Sequence, residues 1–367
     1  MRVGIDANPI MGDRGGVGWH TYHLLQAMVG LRGELDLIGY VSPGSLEGGV
    51  PRGWTSQGIG WIEAGRWTLP WRGRLDGLDL YHGTNFKMKT TGRFGGVVTI
   101  YDLWMARHPE YSPKFFGQQA SSRRTQRTAW RARKVITISE FSAREIMELY
   151  GLPAERISVI PCGVSSDFHP RKDPVGFAEL RRRIGLPEGP FVLFVGGADP
   201  RKNHRVLVKA FAQRGDELKH VPLVLVGDTV HRFGRMAETI VDCGVKGWVA
   251  CPGRLPIDDI ALLYSHAEAF VFPSLYEGFG MPVIEAMACG APVITSNRTS
   301  LPEVAGDAAL LVDPEHAEAV GDALVTLLRD ASLRETLRAK GFARARQFTW
   351  ERAAKQTLDV YRECCRA

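Results

Sequence analysis

The stretch PSLYEGFGMPVIEAMACGAPVITS, residues 273–296, decides the fold and points to the chemistry. Glu277 and Glu285 stand eight positions apart in it. Gly278 and Gly280 permit a close backbone approach. Pro282 suits a first helical turn, where a missing N–H costs little. Gly290 suits the end of that helix, and Val293–Thr295 reads as a short buried strand. The pattern is a loop that opens onto a helix, with one acid on the loop and one on the helix. Free N–H groups at such an end attract phosphate, and carboxylates accept hydrogen bonds from sugar and ribose hydroxyls.

Outward from this stretch, short apolar runs alternate with helical patterns, which predicts α/β architecture. Strands are expected at Val3–Asp6, Asp36–Val41, Asp79–Tyr81, Val97–Tyr101, Val135–Ile138 and Ser158–Ile160. A second series follows at Phe191–Val195, Leu223–Val226, Trp248–Cys251, Ala269–Phe272 and Val293–Thr295. Each series reads as a doubly wound parallel sheet, whose ligands sit beyond the carboxyl ends of the strands. The chain's 367 residues suit two domains. The boundaries read as 1–168 for the first domain, a Pro- and charge-rich linker at 169–189, and 190–349 for the second. TWERAAKQTLDVYRECCRA, from Thr349, reads as one helix with Thr349 as its N-cap. Its apolar stripe is Ala354, Leu358, Tyr361 and Cys365.

The formal net charge is +6, which favours anionic partners such as nucleotide diphosphates or anionic lipid. The N-terminus begins directly as a strand, with no leader pattern, and no apolar run reaches the length of a membrane span. Six scattered cysteines with no zinc spacing fit a reducing cytoplasm, most of them as buried apolar residues. Gly15–Gly18 reads as a loop after the first strand, opening a helix near Trp19, and Gly16 and Gly18 are candidate ligand contacts. It lacks both GK[ST] and G-x-G-x-x-G, which disfavours a P-loop and a dinucleotide site. Arg123, Arg124, Arg127, Arg131, Arg133 and Lys134 form a basic run around Trp130. On a helix, 123, 127, 131 and 134 share one face. A solvated face and an anionic membrane surface both stay open as readings, with nucleic acid behind them because no nucleic-acid motif accompanies the run.

The opening stretch resembles the signature of retaining glycosyltransferase family 4. The resemblance continues in the family's order through GGVGWHTYHLL (15–25), VVTIYDLWMARHPEYSP (97–113), ITISEFSAREI (136–146), ISVIPCGV (157–164), LFVGGADPRKNH (193–204), PGRLPIDDIALLY (252–264) and SLPEVAGDAALLVDP (300–314). It implies a GT-B fold: two Rossmann-like domains facing a cleft, with the C-terminal helix 350–367 packed on the first. It also implies a nucleotide-sugar donor, a saccharide or lipid-linked acceptor, and no cofactor or essential metal. The HPEYSP and LPEVAGDAALLVDP blocks look most like bacterial mannosyltransferases building surface polysaccharides. GDP-mannose is therefore the first expected donor; UDP-glucose, UDP-N-acetylglucosamine and a deoxy-sugar nucleotide stay open. So do a non-catalytic sugar-nucleotide-binding protein and a nucleotide-sugar epimerase or dehydrogenase.

Residue by residue, the resemblance places Arg201 and Lys202 on the leaving diphosphate. Two fixed cations there stabilise developing charge without a metal. Many members carry one of these cations where this chain has Gly197. Glu285 is expected on the ribose, and Glu277 on the donor sugar. The backbone of Gly278, Phe279, Gly280 and Met281 is expected near sugar or phosphate, with Gly16 and Gly196 on the donor side. Gly253, Arg254 and Leu255 are expected near the base. Tyr101-Asp102 departs from the His-Asp common in the family; Asp102 is either catalytic or a turn residue. Gly18, Tyr101 and Ser139 are the acceptor-side candidates.

Overall fold

The computed structural model describes all residues except 13, 51–53, 55–57, 66–67, 89–94, 110–117, 198, 229–234 and 367, and except the side chains of 118–121 and 235. Residues 110–113 of the 97–113 block and position 198 of the 193–204 block therefore lie outside the described residues. The chain forms two compact units, Met1–Gly163 with Thr349–Ala367, and Val164–Phe348.

The first unit has a seven-stranded parallel sheet: β1 (Arg2–Asp6), β2 (Asp36–Val41), β3 (Ile59–Glu63), β4 (Leu80–Gly83), β5 (Gly95–Thr99), β6 (Lys134–Thr137) and β7 (Ile157–Val159). Their order is β3-β2-β1-β4-β5-β6-β7. Its helices are α1 (Gly16–Val29), α2 (Leu69–Leu75), α3 (Trp104–Arg107), α4 (Gln118–Arg131) and α5 (Glu140–Tyr150). The second unit opens with α6 (Pro174–Ile184), then carries β8 (Val192–Val195), α7 (His204–Gln213), α8 (Gly215–Leu218), β9 (Leu223–Val226), α9 (Arg235–Asp242), β10 (Val249–Gly253), α10 (Ile257–His266) and β11 (Ala269–Phe272). It ends with α11 (Met281–Cys289), β12 (Val293–Ser296), α12 (Leu301–Ala305), β13 (Ala309–Val312), α13 (Ala317–Arg329) and α14 (Ala331–Ala345). Its six parallel strands run β10-β9-β8-β11-β12-β13.

The strand order of both sheets reverses between the first and fourth strands, at β1/β4 and at β8/β11, with all strands parallel. Such a switch point leaves a crevice at the carboxyl edge. Central strands such as Leu223–Val226 and Ala269–Phe272 are buried throughout, because helices cover both faces of a parallel sheet. These continuous apolar runs are the strands that the sequence gives away. Two strands were not expected, β3 and β13. Both are edge strands of mixed burial. β3, IGWIE, leaves no clean apolar run, whereas β13, ALLV, is a continuous apolar run that was overlooked.

Three expectations about the chain's organisation are corrected. The span 169–189 contains α6, capped by Asp173, whose side chain accepts the Gly176 N–H, and buried through Phe177 and Leu180. It belongs to the second unit, and the division falls at Gly163/Val164. α15 (Trp350–Arg366) does start after Thr349, whose Oγ1 accepts the Arg352 N–H at 3.2 Å. Its buried face, however, takes Cys364, while Cys365 is exposed. Only Cys162, Cys289 and Cys364 are fully buried; Cys243 and Cys251 are half-buried.

α15 packs with α1 inside the first unit. Tyr361 Oη lies 2.7 Å from His82 Nδ1, and His82 Nε2 lies 2.7 Å from Thr99 Oγ1. Burying side chains such as Leu358 and Tyr361 stabilises this packing by roughly 1.5–3 kcal/mol apiece.

Candidate active site

The candidate site sits at the β8/β11 switch of the second unit. After β8 the chain turns through Gly196 and enters a 3-10 turn, Pro200–Lys202. Asp199 caps that turn by accepting the Arg201 N–H at 3.1 Å, and also takes Arg201 Nε at 2.8 Å. Asn203 closes the turn in the left-handed region, φ 53°, which Asn tolerates better than most residues. Its Nδ2 donates to Pro273 O at 3.2 Å and Pro314 O at 2.6 Å. The cation-bearing turn is thus fastened to the end of β11.

β11 ends at Phe272, and the loop that follows brings Glu277 to Lys202. Lys202 Nζ lies 2.6 Å from Glu277 Oε1, and 5.2 Å from the centre of the Phe272 ring. Ser274 Oγ lies 2.7 Å from the same carboxylate oxygen and 2.8 Å from Arg201 O. Leu275 N–H donates to Arg201 O at 2.7 Å. Glu277 is buried. A buried carboxylate needs partners of this kind, because an unpaired buried charge is strongly destabilising.

Gly280 leads into α11 with φ 103°, and a Cβ there would lie 2.6 Å from Leu301 Cδ2. Both the backbone conformation and the close approach demand glycine. Pro282 lies in the first turn of α11, and Gly290, φ 89°, ends it. Phe279 is buried edge-to-face against Phe348. Glu285, on the second turn, is half-buried against Tyr264 of α10. Burial pushes its carboxyl up to about 7, against opposing pulls from the Tyr264 hydroxyl and the Lys202 charge. Lys202 therefore acts on both glutamates.

Gly196 donates its N–H to Val226 O at 2.9 Å. Gly253 ends β10 with φ 78°, and its carbonyl accepts the Gly227 N–H at 2.8 Å. Arg254, exposed, and Leu255, half-buried, follow it along the same edge.

The first unit treats its candidates differently. Gly16 and Gly18 are not in a loop: α1 begins at Gly16, with Gly15 as N-cap. A Cβ on Gly18 would lie 2.5 Å from Pro9 O, so glycine is needed there for packing. Gly16 is exposed. Tyr101 does not offer its hydroxyl to a ligand. It is buried, donates to Thr84 O at 2.8 Å, and lies 3.1 Å from His20 Nδ1. Burial raises its pKa far beyond the ordinary tyrosine range. Ser139, also buried, is the N-cap of α5, accepting the Ser142 N–H at 3.0 Å. Asp102 Oδ1 accepts the Trp104 N–H at 3.1 Å, the turn role held open from the sequence. Burial lowers the pKa values of His20 and His82 to about 3, so both rings are neutral.

The geometry adds Asp199, Asn203, Ser274, Tyr264, Thr299 and Ser300 to the site. Asp199 and Asn203 adjoin the cation pair in sequence, and an Asp before a turn is a readable cap signal. Nothing local marks Tyr264 or Thr299.

Comparison with known proteins gives the family. The model described as "Glycosyltransferase Family 4" matches residues 14–168, and "Glycosyl transferases group 1" matches 177–344. The O-antigen chain mannosyltransferase B of Escherichia coli is 36% identical over 284 residues, 77% of this chain and 74% of that protein. The chain belongs to glycosyltransferase family 4. A D-inositol 3-phosphate glycosyltransferase of Xylanimonas cellulosilytica is 30% identical over 84% of this chain and 70% of its own length. Among solved structures, sucrose-phosphate synthase from Thermosynechococcus elongatus superposes with a TM-score of 0.79, covering 99% of this chain and 98% of that one at 24% identity. Its likeness supports the GT-B fold.

Proposed function

We propose that this glycosyltransferase moves mannose from GDP-mannose to a saccharide or lipid-linked acceptor, with retention of configuration and without a metal. The observation that carries the reading is the Lys202–Glu277 pair at 2.6 Å on the carboxyl edge of β8 and β11. A cation and a carboxylate held together there match the two charges of the transition state. Lys202 and Arg201 meet the negative charge that grows on the leaving diphosphate. Glu277 meets donor-sugar hydroxyls and the positive charge near the anomeric carbon. Glu285 accepts hydrogen bonds from the ribose. In front-face transfer the departing phosphate takes the acceptor's proton, so no enzymic base is required. The engaged Tyr101 hydroxyl is consistent with that. The preference for mannose rests on the mannosyltransferase relative.

A donor panel tests the reading. GDP-mannose should give slow hydrolysis alone and transfer with oligomannoside acceptors, and the one-bond C1–H1 coupling of the transferred mannose should report the donor's configuration. Rates should persist in excess EDTA. An inverted product, a metal requirement or a strict UDP preference would each overturn the matching part.

The proposal extends to an anionic membrane surface as the place where a lipid-linked acceptor is met. Arg123, Arg124, Arg127 and Arg131 of α4 are exposed beside half-exposed Trp130. Lys134 leaves this face: it starts β6 and pairs with Glu363 at 3.0 Å. Met88 packs against the clusters of both α2 and α4, so these helices cover one face of the sheet. α2 adds Trp71 at 68% exposure and Leu75 at 79%. No helix among the described residues is long and apolar enough to cross a membrane. Each arginine is worth roughly 1 kcal/mol near an anionic surface. Wild type should sediment with anionic vesicles at low salt, and Arg123, Arg127 and Arg131 changed to Ser should remove most of that binding. Absence of binding by wild type would leave this face merely solvated.

A further inference from the structure

Thr299 stands where glycine would be easiest. Its φ is 59°, a conformation that a β-branched residue avoids. Among the described residues, the non-glycine positions with positive φ are Phe86, Asn203 and Thr299. Asn203 adjoins Lys202, and Thr299 touches Glu277, so two of these three flank the same ion pair. Thr299 Oγ1 accepts the Glu277 N–H at 3.2 Å and donates to Arg298 O at 2.7 Å. Its neighbour Ser300 is buried, with Oγ 2.9 Å from Glu277 O and 3.0 Å from Phe279 O. Leu301 fills the space that a Cβ on Gly280 would occupy. Three successive residues after β12 therefore bear on the loop 277–280.

That turn is itself braced from behind. Arg298 reaches Asp313 at 3.0 Å and Glu315 at 2.7 Å. The Asn297 N–H donates to Val312 O at 2.9 Å. The side chain of Glu277 is held from the other direction by Lys202 and Ser274. Glycine would relieve the backbone strain at 299, but it would leave the Glu277 N–H without this acceptor. Strain of this kind persists where the surroundings over-determine it, and it clusters at functional sites.

We propose that Thr299 is a positioning residue: its hydroxyl fixes the main chain of Glu277, and so fixes where the carboxylate meets the donor sugar. This rests on the reading of Glu277 as the sugar-facing group. A residue with that task acts on turnover, because small misplacement of a reacting or stabilising group costs rate before it costs affinity.

The test compares Thr299→Gly, Thr299→Val and Thr299→Ser with Glu277→Gln. The readouts are kcat and KM for the donor, calorimetric affinity for the free nucleoside diphosphate, and Tm. Thr299→Gly and Thr299→Val should each lower kcat by about 10-fold or more. Diphosphate affinity should stay near wild type in both, and Thr299→Ser should recover most of the rate. The Tm of Thr299→Gly should change little, since relief of the backbone strain offsets the lost acceptor of the Glu277 N–H, so this variant remains informative if Thr299→Val folds poorly. Wild-type turnover in both Thr299→Gly and Thr299→Val, with Glu277→Gln impaired, would overturn the proposal and leave the Glu277 reading intact. Failure of Thr299→Ser to recover rate would overturn the hydroxyl's role. Wild-type turnover in Glu277→Gln would remove the reading of Glu277, and this inference with it.

Discussion

The two units share one strand order but use the polar groups at their strand ends in opposite ways. In the second unit charged groups face one another, Lys202 with Glu277 and Arg201 with Asp199, and Glu285, its carboxyl pushed up to about 7 by burial, lies under the influence of Lys202. In the first unit Asp6 and Asp102 are taken up in local turns, and Tyr101, His82 and Ser139 are buried, uncharged and turned inward. Tyr101 bonds Thr84 O, His82 bridges Tyr361 and Thr99, and Ser139 caps α5. The fold supplies a crevice to both units. Electrostatics decides which one can stabilise a charged transition state. Neutral buried groups hold a shape, whereas paired charges can exchange their partners for those of a ligand.

The strongest way to break this contrast is to remove a cation. Arg201→Ala or Lys202→Ala should lower transfer by about 100-fold or more, the usual cost of losing one electrostatic stabiliser. Tm should change little for Arg201→Ala. It should fall further for Lys202→Ala, which strands the buried Glu277 carboxylate. Near-normal turnover in both would show that the paired charges are structural in the second unit as well.

A smaller effect should appear in pH dependence. Glu285 takes up a proton near pH 7 in the free protein. If its ionised form accepts the ribose hydroxyls, affinity for the nucleoside diphosphate should fall by about tenfold from pH 8 to pH 6. Glu285→Gln should bind more weakly but with a flatter profile, a comparison that cancels the titration of the phosphate itself. The sign for stability is the reverse. The folded state holds this proton more tightly than the unfolded chain does. The stabilisation is therefore full below the ordinary glutamate range and is lost as pH rises through about 7. Glu285→Gln should accordingly raise Tm at pH 8 relative to wild type, and have little effect at pH 5. A parallel pH profile in wild type and mutant would remove Glu285 from nucleotide recognition.

The smallest effect on rate belongs to the first unit. Tyr101→Phe should cost about 1–3 kcal/mol of stability, by leaving Thr84 O and His20 without this partner, and should change kcat by less than about threefold. A large loss of kcat with unchanged Tm would mean that the hydroxyl turns toward substrate during the reaction.

The sequence by itself settled the two-sheet α/β plan, because buried parallel strands are continuous apolar runs such as Leu223–Val226 and Ala269–Phe272. It also marked the loop-to-helix entry at Glu277–Gly290, because glycine and proline carry specific backbone demands that are readable one residue at a time. It placed Arg201, Lys202, Glu277 and Glu285 in motifs, but not in contact: the 2.6 Å pair joins residues 75 positions apart. Edge strand β3 was hidden because its sequence, IGWIE, breaks the apolar run with glycine and ends on a charge, whereas β13, ALLV, was legible as an apolar run and was passed over. The helix α6 was hidden by a composition that reads as linker. Tertiary structure alone turned Tyr101 and Ser139 inward and set Tyr264 against Glu285. It alone placed a strained Thr299 beneath Glu277. The physical reason is common to all of these. Local sequence states what a residue can donate, accept or charge, while packing from distant segments decides whether that capacity is consumed inside the fold or left facing a ligand.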